Sequence, residues 1–285
     1  MKIIVNLLIL IIGLLLLSAC GNENKKTAGN SPQQNGVENS PEKDEWIQRY
    51  NLEHQKKFTS QRTPCDTIAL EEFVLDNYPD GTYLVNFDKT STYSLSKPAV
   101  IYYGKNRNFI FAVIAKSRPG ERLIETKNIV GYDQSFIDLD STDLGTAFFF
   151  LTLFECNNGN FSIIWETPIP SHGGFNRLTL KTWRSKNIPF IEVNFHYGRG
   201  IGHINYNYFL IDGLKKEPHL LMTYEGINFK RTIANVNNDL YPDYFEYIFY
   251  DLGNRVFSKD SVAFIWDKKD SVYVNTRNHR QTRLY

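Results

Sequence analysis

The sequence predicts an all-β domain preceded by one helix, assembled from repeated antiparallel hairpins as a sandwich or a propeller-like array. Three observations predict it. From about Cys65 onward, short apolar or alternating runs recur between turn residues, the pattern of half-buried strands. Aromatic residues make up 14% of the 285 residues, with 20 Phe and 17 Tyr, and such side chains suit a pleated surface. Helical spacing of apolar residues is clear in one segment only, just ahead of that region.

The chain begins with Lys2 and an apolar run from Ile3 to Leu17, interrupted by Asn6 and Gly13 and closed by Leu17-Ser18-Ala19-Cys20. A charged start, a short apolar core and small residues at a cleavage point make a secretory signal. The run falls short of the roughly 20 apolar residues that a membrane span needs. A leucine, two small residues and a cysteine resemble the bacterial lipobox. That resemblance implies that residues 1–19 are removed, that the Cys20 sulfur carries a diacylglyceryl group, and that its freed amine is acylated. Two or more acyl chains anchor a protein stably, whereas one does not. The lipid bilayer is therefore the expected partner through Cys20, at the bacterial outer membrane. No strong acidic run follows Cys20, so the periplasmic face and the cell surface both stay open.

Residues 20–40 read as a flexible tether. They are rich in Asn, Gly, Ser, Pro, Gln and Lys and hold too little apolar surface to offset the entropy of ordering. An amphipathic helix is expected over 41–60. Ser40 is a good N-cap, Pro41 suits the first helical position, and Glu42, Asp44 and Glu45 suit the positive end of the helix dipole. Trp46, Tyr50, His54 and Phe58 follow at four-residue spacing, an aromatic stripe expected to dock on the folded domain rather than on a membrane or a ligand.

The β-rich domain is expected over 65–285. Examples of its strand runs are Thr82–Phe87, Ala99–Tyr103, Phe109–Ala115, Phe148–Phe154, Phe161–Trp165, Leu178–Trp183, Phe190–Tyr197, Ile204–Ile211, Tyr244–Tyr250, Val262–Trp266 and Ser271–Val274. Asn157-Asn158-Gly159-Asn160 and Gly198–Gly202 supply turns between paired runs. A faint internal echo joins Phe148–Leu151 and Ser162–Glu166 to Tyr244–Tyr247 and Ala263–Asp267, each pair following an Asp/Asn-rich loop.

Charge excludes one class of function. The chain holds 32 Lys plus Arg and 31 Asp plus Glu, and losing Lys2 with the leader balances them. A neutral domain lacks the basic face that nucleic acid requires. Of 3 cysteines, Cys65 and Cys156 remain beyond the lipobox. They form either a disulfide, which an oxidising compartment permits, or two buried thiols.

One loop has possible ion chemistry. Asn235, Asn237, Asp239 and Asp243 place side-chain oxygens at loop positions one, three, five and nine, a spacing that can wrap oxygen ligands around Ca²⁺. The segment resembles the calcium loops of FG-GAP repeats. It is also similar to those of small periplasmic β proteins related to lysozyme inhibitors, in which an aromatic-rich hairpin follows the loop. Two departures stand out. Asn235 replaces a carboxylate, and Leu240 occupies the position expected to be Gly. With two carboxylates, any Ca²⁺ binding is expected to be weak. The earlier loop with Asp138, Asp140 and Asp143 has poorer spacing, and Ser171-His172 lacks a nucleophile-elbow pattern.

The function expected from these residues is a lipid-anchored cell-envelope module that binds a protein or glycan partner, or has a structural role, without catalysis. The resemblance of the last 45 residues implies a periplasmic inhibitor of a cell-wall hydrolase, a lysozyme, as one alternative. A second is an envelope glycan hydrolase using a carboxylate pair drawn from Glu155, Glu166 and Glu192.

Overall fold

The computed structural model describes residues 41–85, 98–117, 147–170, 175–197 and 202–283. The leader, Cys20 and the tether lie outside the described residues, as do the Asp138–Asp143 and Ser171-His172 loops. Two helices and fourteen strands are described. Helix α1 is Pro41–Phe58 and α2 is Thr67–Asn77. The first sheet holds β1 (Thr82–Leu84), β2 (Val100–Tyr103), β3 (Phe109–Ser117), β4 (Ala147–Asn157) and β5 (Asn160–Ile169), with β1 and β2 end to end along one edge of β3. The second is a nine-stranded antiparallel meander in chain order. It runs through β6 (Phe175–Trp183), β7 (Ile188–Tyr197), β8 (Gly202–Phe209), β9 (His219–Glu225), β10 (Lys230–Ala234), β11 (Asp243–Asp251), β12 (Val256–Asp267), β13 (Val272–Asn275) and β14 (Gln281–Thr282).

The all-β reading holds, as a sandwich. Phe111, Val113 and Ala115 of β3 and Leu151 and Leu153 of β4 meet Ile191, Val193 and Phe195 of β7 and Tyr206 and Tyr208 of β8 in one core between the sheets. The intervening residues of β3, Ile110, Ala112 and Ile114, face the other way and pack with Phe154 against Leu70 and Val74 of α2. Strand β3 reads as an unbroken apolar run because both of its faces are covered.

Helix α2 is a correction to the sequence reading, which expects only β structure from Cys65 onward. Its signals were present. Leu70, Phe73 and Val74 recur at helical spacing, and the Asp66 side chain caps the helix by accepting from the Ala69 N–H at 2.8 Å. Strands β9 and β10 lie within the expected β-rich domain but outside the runs named from the sequence. The echoed hairpins exist, but β4–β5 belongs to the first sheet and β11–β12 to the second, so they are not successive blades of a propeller.

The aromatic stripe of α1 does not dock on the domain. Trp46, Tyr50 and Phe58 are exposed, while Leu52 is buried and Lys56 and Arg49 reach Glu72 and Asp76 of α2 at 2.5 and 2.8 Å. The helix uses a different face because only the row through Leu52 carries both an apolar contact and the cations that match α2.

The long sheet coils over itself. In a flat sheet β9 and β13 would lie roughly 19 Å apart, four strand spacings. Yet His219 Nε2 of β9 lies 2.8 Å from the Tyr273 hydroxyl of β13. The ladder between β9 and β10 is brief, Lys230 to Glu225 and Arg231 to Tyr224, and the strands beyond it curl back. Phe190, Phe209 and Leu221 thereby join Tyr244, Tyr273 and Trp266 in a further core.

His219 is the titrating weak point of that core. Its ring sits against Tyr241, Trp266 and Tyr273. The Tyr273 hydroxyl donates to the Pro242 carbonyl at 2.9 Å, so hydrogen-bond counting assigns the shared proton to His219 Nε2. Burial pushes the imidazole pKa down from 6.5 to about 4, with Asp239 opposing weakly. The unfolded chain therefore binds the extra proton first. Stability from this group is present above pH 6.5 and is lost as pH falls toward 4, by up to about 3 kcal/mol. Denaturant melts across that window should show the loss, and His219→Gln should flatten the profile.

Candidate functional site

Three chain segments converge beside Cys65 and Cys156. The β2–β3 turn is the first. Gly104 takes a left-handed backbone, φ 90°, and its carbonyl accepts from the Arg107 N–H at 3.1 Å. Arg107 is itself left-handed, φ 54°, an uncommon state for a side-chain-bearing residue. Its guanidinium lies 4.3 Å from the Tyr102 ring centroid, a cation–π contact. The β4–β5 turn is the second. Asn158 and Gly159 have φ of 51° and 90°, the positive pair that a tight two-residue hairpin turn requires.

The third segment is the entry to α2. Asp66 accepts from the N–H groups of Ala69 and Thr63 and from both Nε and Nη2 of Arg62 at 3.1 Å. Burial works against its charge, but the Arg62 guanidinium and the Ala69 N–H outweigh it and hold the carboxyl below its ordinary pKa. A disulfide between Cys65 and Cys156, Cα atoms 5.9 Å apart, ties this entry to the end of β4. The Cys156 N–H donates to the Asn108 carbonyl at 2.7 Å and ties in the β2–β3 turn.

Between the three segments lies a groove of about 620 Å³, lined by Thr63, Asp66, Tyr102, Asn106, Arg107, Asn108, Asn157 and Asn158 together with the disulfide. That volume is of ligand-site size. With Asp66 paired to Arg62, Arg107 is the lining residue whose charge has no ion-pair partner among the described residues. The Asn amides offer both donors and acceptors, and Tyr102 offers a ring face. This combination suits a hydroxyl-rich ligand. Sequence reading passed over the groove because Lys105-Asn106-Arg107-Asn108 and Asn157-Asn158 look like two ordinary polar turns. Their meeting depends on the sheet register and the disulfide.

The Asn235–Asp243 loop is held by its own hydrogen bonds. Asp243 is fully buried, and its carboxylate accepts from the N–H groups of Val236 at 2.7 Å, Asn237 at 3.3 Å and Trp266 at 3.1 Å. Burial nevertheless raises its pKa, those bonds opposing. Asn237 Oδ1 accepts from the Asp239 N–H, and Asp239 Oδ1 from the Tyr241 N–H, both Asx turns. The left-handed residue is Asn238, φ 61°, rather than Leu240, so the bulky side chain meets no backbone strain there. The Lys186 ammonium already sits on Asn238, 2.6 Å from its carbonyl and 2.8 Å from Oδ1. Asn235 Oδ1 is buried without a hydrogen-bond partner among the described residues. Among the described residues no group of three or more His, Cys, Asp or Glu side chains is placed to hold a metal ion.

The three glutamates considered for glycan hydrolysis are not brought together. Glu166 lies opposite Thr152 on the helix-covered face of the first sheet, bonded to Lys116, Tyr78 and Thr152. Glu192 alternates with Ile191 and Val193 and so points away from the inter-sheet core, where Arg177 and Lys181 pair with it at 3.3 and 2.6 Å. The core between the sheets, roughly 10 Å thick, separates these two. Glu155 continues the Leu151–Leu153 row at the edge of that core and pairs with Lys215 at 3.0 Å. The three carboxylates are held by different cations on different faces, because strand alternation assigns them there. His196 and His203 stand opposite each other across the β7–β8 ladder.

No family model, no curated protein and no solved structure matches this chain.

Proposed function

We propose that this chain is a lipid-anchored binding module of the bacterial cell envelope, held through acylated Cys20 and taking a glycan in the groove beside the Cys65–Cys156 bridge. The lipobox residues Leu17-Ser18-Ala19-Cys20 support the address. The observation that carries the binding role is the groove itself, with the Arg107 guanidinium held over Tyr102 by a left-handed turn. A strained backbone that presents one side chain to a concavity is a recurring mark of binding sites. Four Asn amides and one cation beside an aromatic face suit sugar hydroxyls and a carboxylate-bearing glycan, the chemistry of cell-wall fragments.

The test uses protein extracted from membranes and a panel of soluble cell-wall glycan fragments. Binding to one of them is expected, weakened at least tenfold by Arg107→Gly, since glycine keeps the left-handed turn while removing the guanidinium. Equal binding by Arg107→Gly would move the site elsewhere, and protein extracted with its leader intact would remove the anchor.

A further inference from the structure

Helix α1 packs on the body through one face and presents its aromatic rings on the opposite one. Leu52 is buried, with Gln48 and Lys56 partly so on the same row. Two residues further round, about 200° away, stand Trp46, Tyr50, His54 and Phe58. Trp46, Tyr50 and Phe58 are 65%, 59% and 75% exposed. Their rings form a continuous file, with centroids 5.7, 6.4 and 4.5 Å apart from Trp46 through Tyr50 and His54 to Phe58. Contiguous aromatic surface of this kind marks a contact site rather than a solvated face.

The chemistry of the stripe favours a lipid surface. Trp and Tyr concentrate at membrane–water interfaces, where the ring body is apolar and one edge stays wet. Lys57 is exposed and lies on the same side of the helix by spacing, placed for anionic headgroups. The position in the chain points the same way. Twenty residues separate Cys20 from Pro41, a distance of roughly 70 Å at full extension. A tether of that length holds the helix near the bilayer at an effective concentration around the millimolar range, so a weak interfacial affinity is enough to keep it there.

We propose that the Trp46–Tyr50–His54–Phe58 face of α1 lies in the headgroup region of the bilayer that holds Cys20, as a second membrane contact. The proposal rests on the lipid-anchor reading. It gives the domain an orientation. Helix α2, which packs against the opposite side of α1 and whose entry lines the groove, then faces away from the lipid.

The test reconstitutes the mature full-length protein in phosphatidylethanolamine–phosphatidylglycerol vesicles carrying a spin label near the headgroups. Trp165 and Trp183 are buried and Trp266 belongs to the aromatic core, so the emission lost in Trp46→Phe reports the stripe. That emission should be quenched at least twofold by the labelled lipid. A Tyr50→Ser, Phe58→Ser variant should recover most of it while still co-floating with vesicles. Intact mass, read on the same sample, reports the acyl chains on Cys20. Acylated, co-floating protein whose Trp46 is quenched only by a soluble quencher would overturn the membrane contact and leave the anchor standing. Trp46 protected by cross-linkable contact with a second copy would replace lipid by a dimer. An unacylated Cys20 would overturn both the anchor and this proposal.

Discussion

Removing the Cys65–Cys156 bridge should lower the melting midpoint by roughly 10 °C. The two cysteines are 91 residues apart in the chain. Closing a loop of that length restricts the unfolded ensemble by on the order of 4 kcal/mol in the chain-entropy account. In a domain of this size each kcal/mol moves the midpoint by about 2–4 °C. The bridge also pins the entry of α2, whose Leu70 and Val74 cover the outer face of β3. Loss of the bond should therefore loosen α2 first. Thermal melts of a Cys65→Ala, Cys156→Ala variant test the midpoint, and amide exchange along residues 67–77 tests the order of events. An unchanged midpoint, or two titratable thiols in the oxidised protein, would show that no bridge forms. If the groove takes the glycan proposed for it, the same variant should lose that binding, because the disulfide lines the groove and fixes two of its walls.

Asp243→Ala should destabilise the protein by about 4 kcal/mol. The substitution leaves three N–H groups, those of Val236, Asn237 and Trp266, without their acceptor in a buried site. An orphaned buried donor costs about 1–3 kcal/mol, and three sharing one carboxylate do not add fully. Asp243→Asn should cost less, since one oxygen remains to accept while the new amide faces donors. Urea titration measures both. A loss below about 1 kcal/mol for Asp243→Ala would show that the carboxylate does not hold the loop. Repeating the melts in millimolar calcium checks the ion reading of Asn235, Asn237, Asp239 and Asp243. A calcium-dependent rise in the wild type that vanishes in Asp243→Ala would make the loop an ion site.

The element map shows where sequence reading works. Strands with a clear period or an unbroken apolar run, such as Phe109–Ser117 and Ile188–Tyr197, were legible because covered faces demand apolar side chains. Segment 67–77 is not, although Asp66 caps it, because it is short and its apolar residues, Ile68 to Leu70 and Phe73 to Leu75, come in two brief runs that also suit strands. Strands β9 and β10 are not among the runs named from the sequence, because Leu220-Leu221-Met222 is only three residues long and Lys230-Arg231-Thr232 shows no alternation. Their partners lie on both sides of a coiled sheet. The loop at Asn235–Asp243 was legible as a turn, since Asx chemistry is local. The assignment of Asp243 to three backbone N–H groups was not, because the Trp266 amide comes from another strand.

Local chemistry in the chain was enough to determine the β class, most strand positions and helix α1. Each of these depends on neighbours within a few residues. Tertiary structure alone decided that the aromatic stripe of α1 stays exposed, that Cys65 meets Cys156, that Glu155, Glu166 and Glu192 part onto separate faces, and that two polar turns close a groove around Arg107. Those outcomes follow from sheet register and coiling, which bring together residues as distant in the chain as the two cysteines, 91 positions apart, and no periodicity along the chain encodes a meeting at that distance.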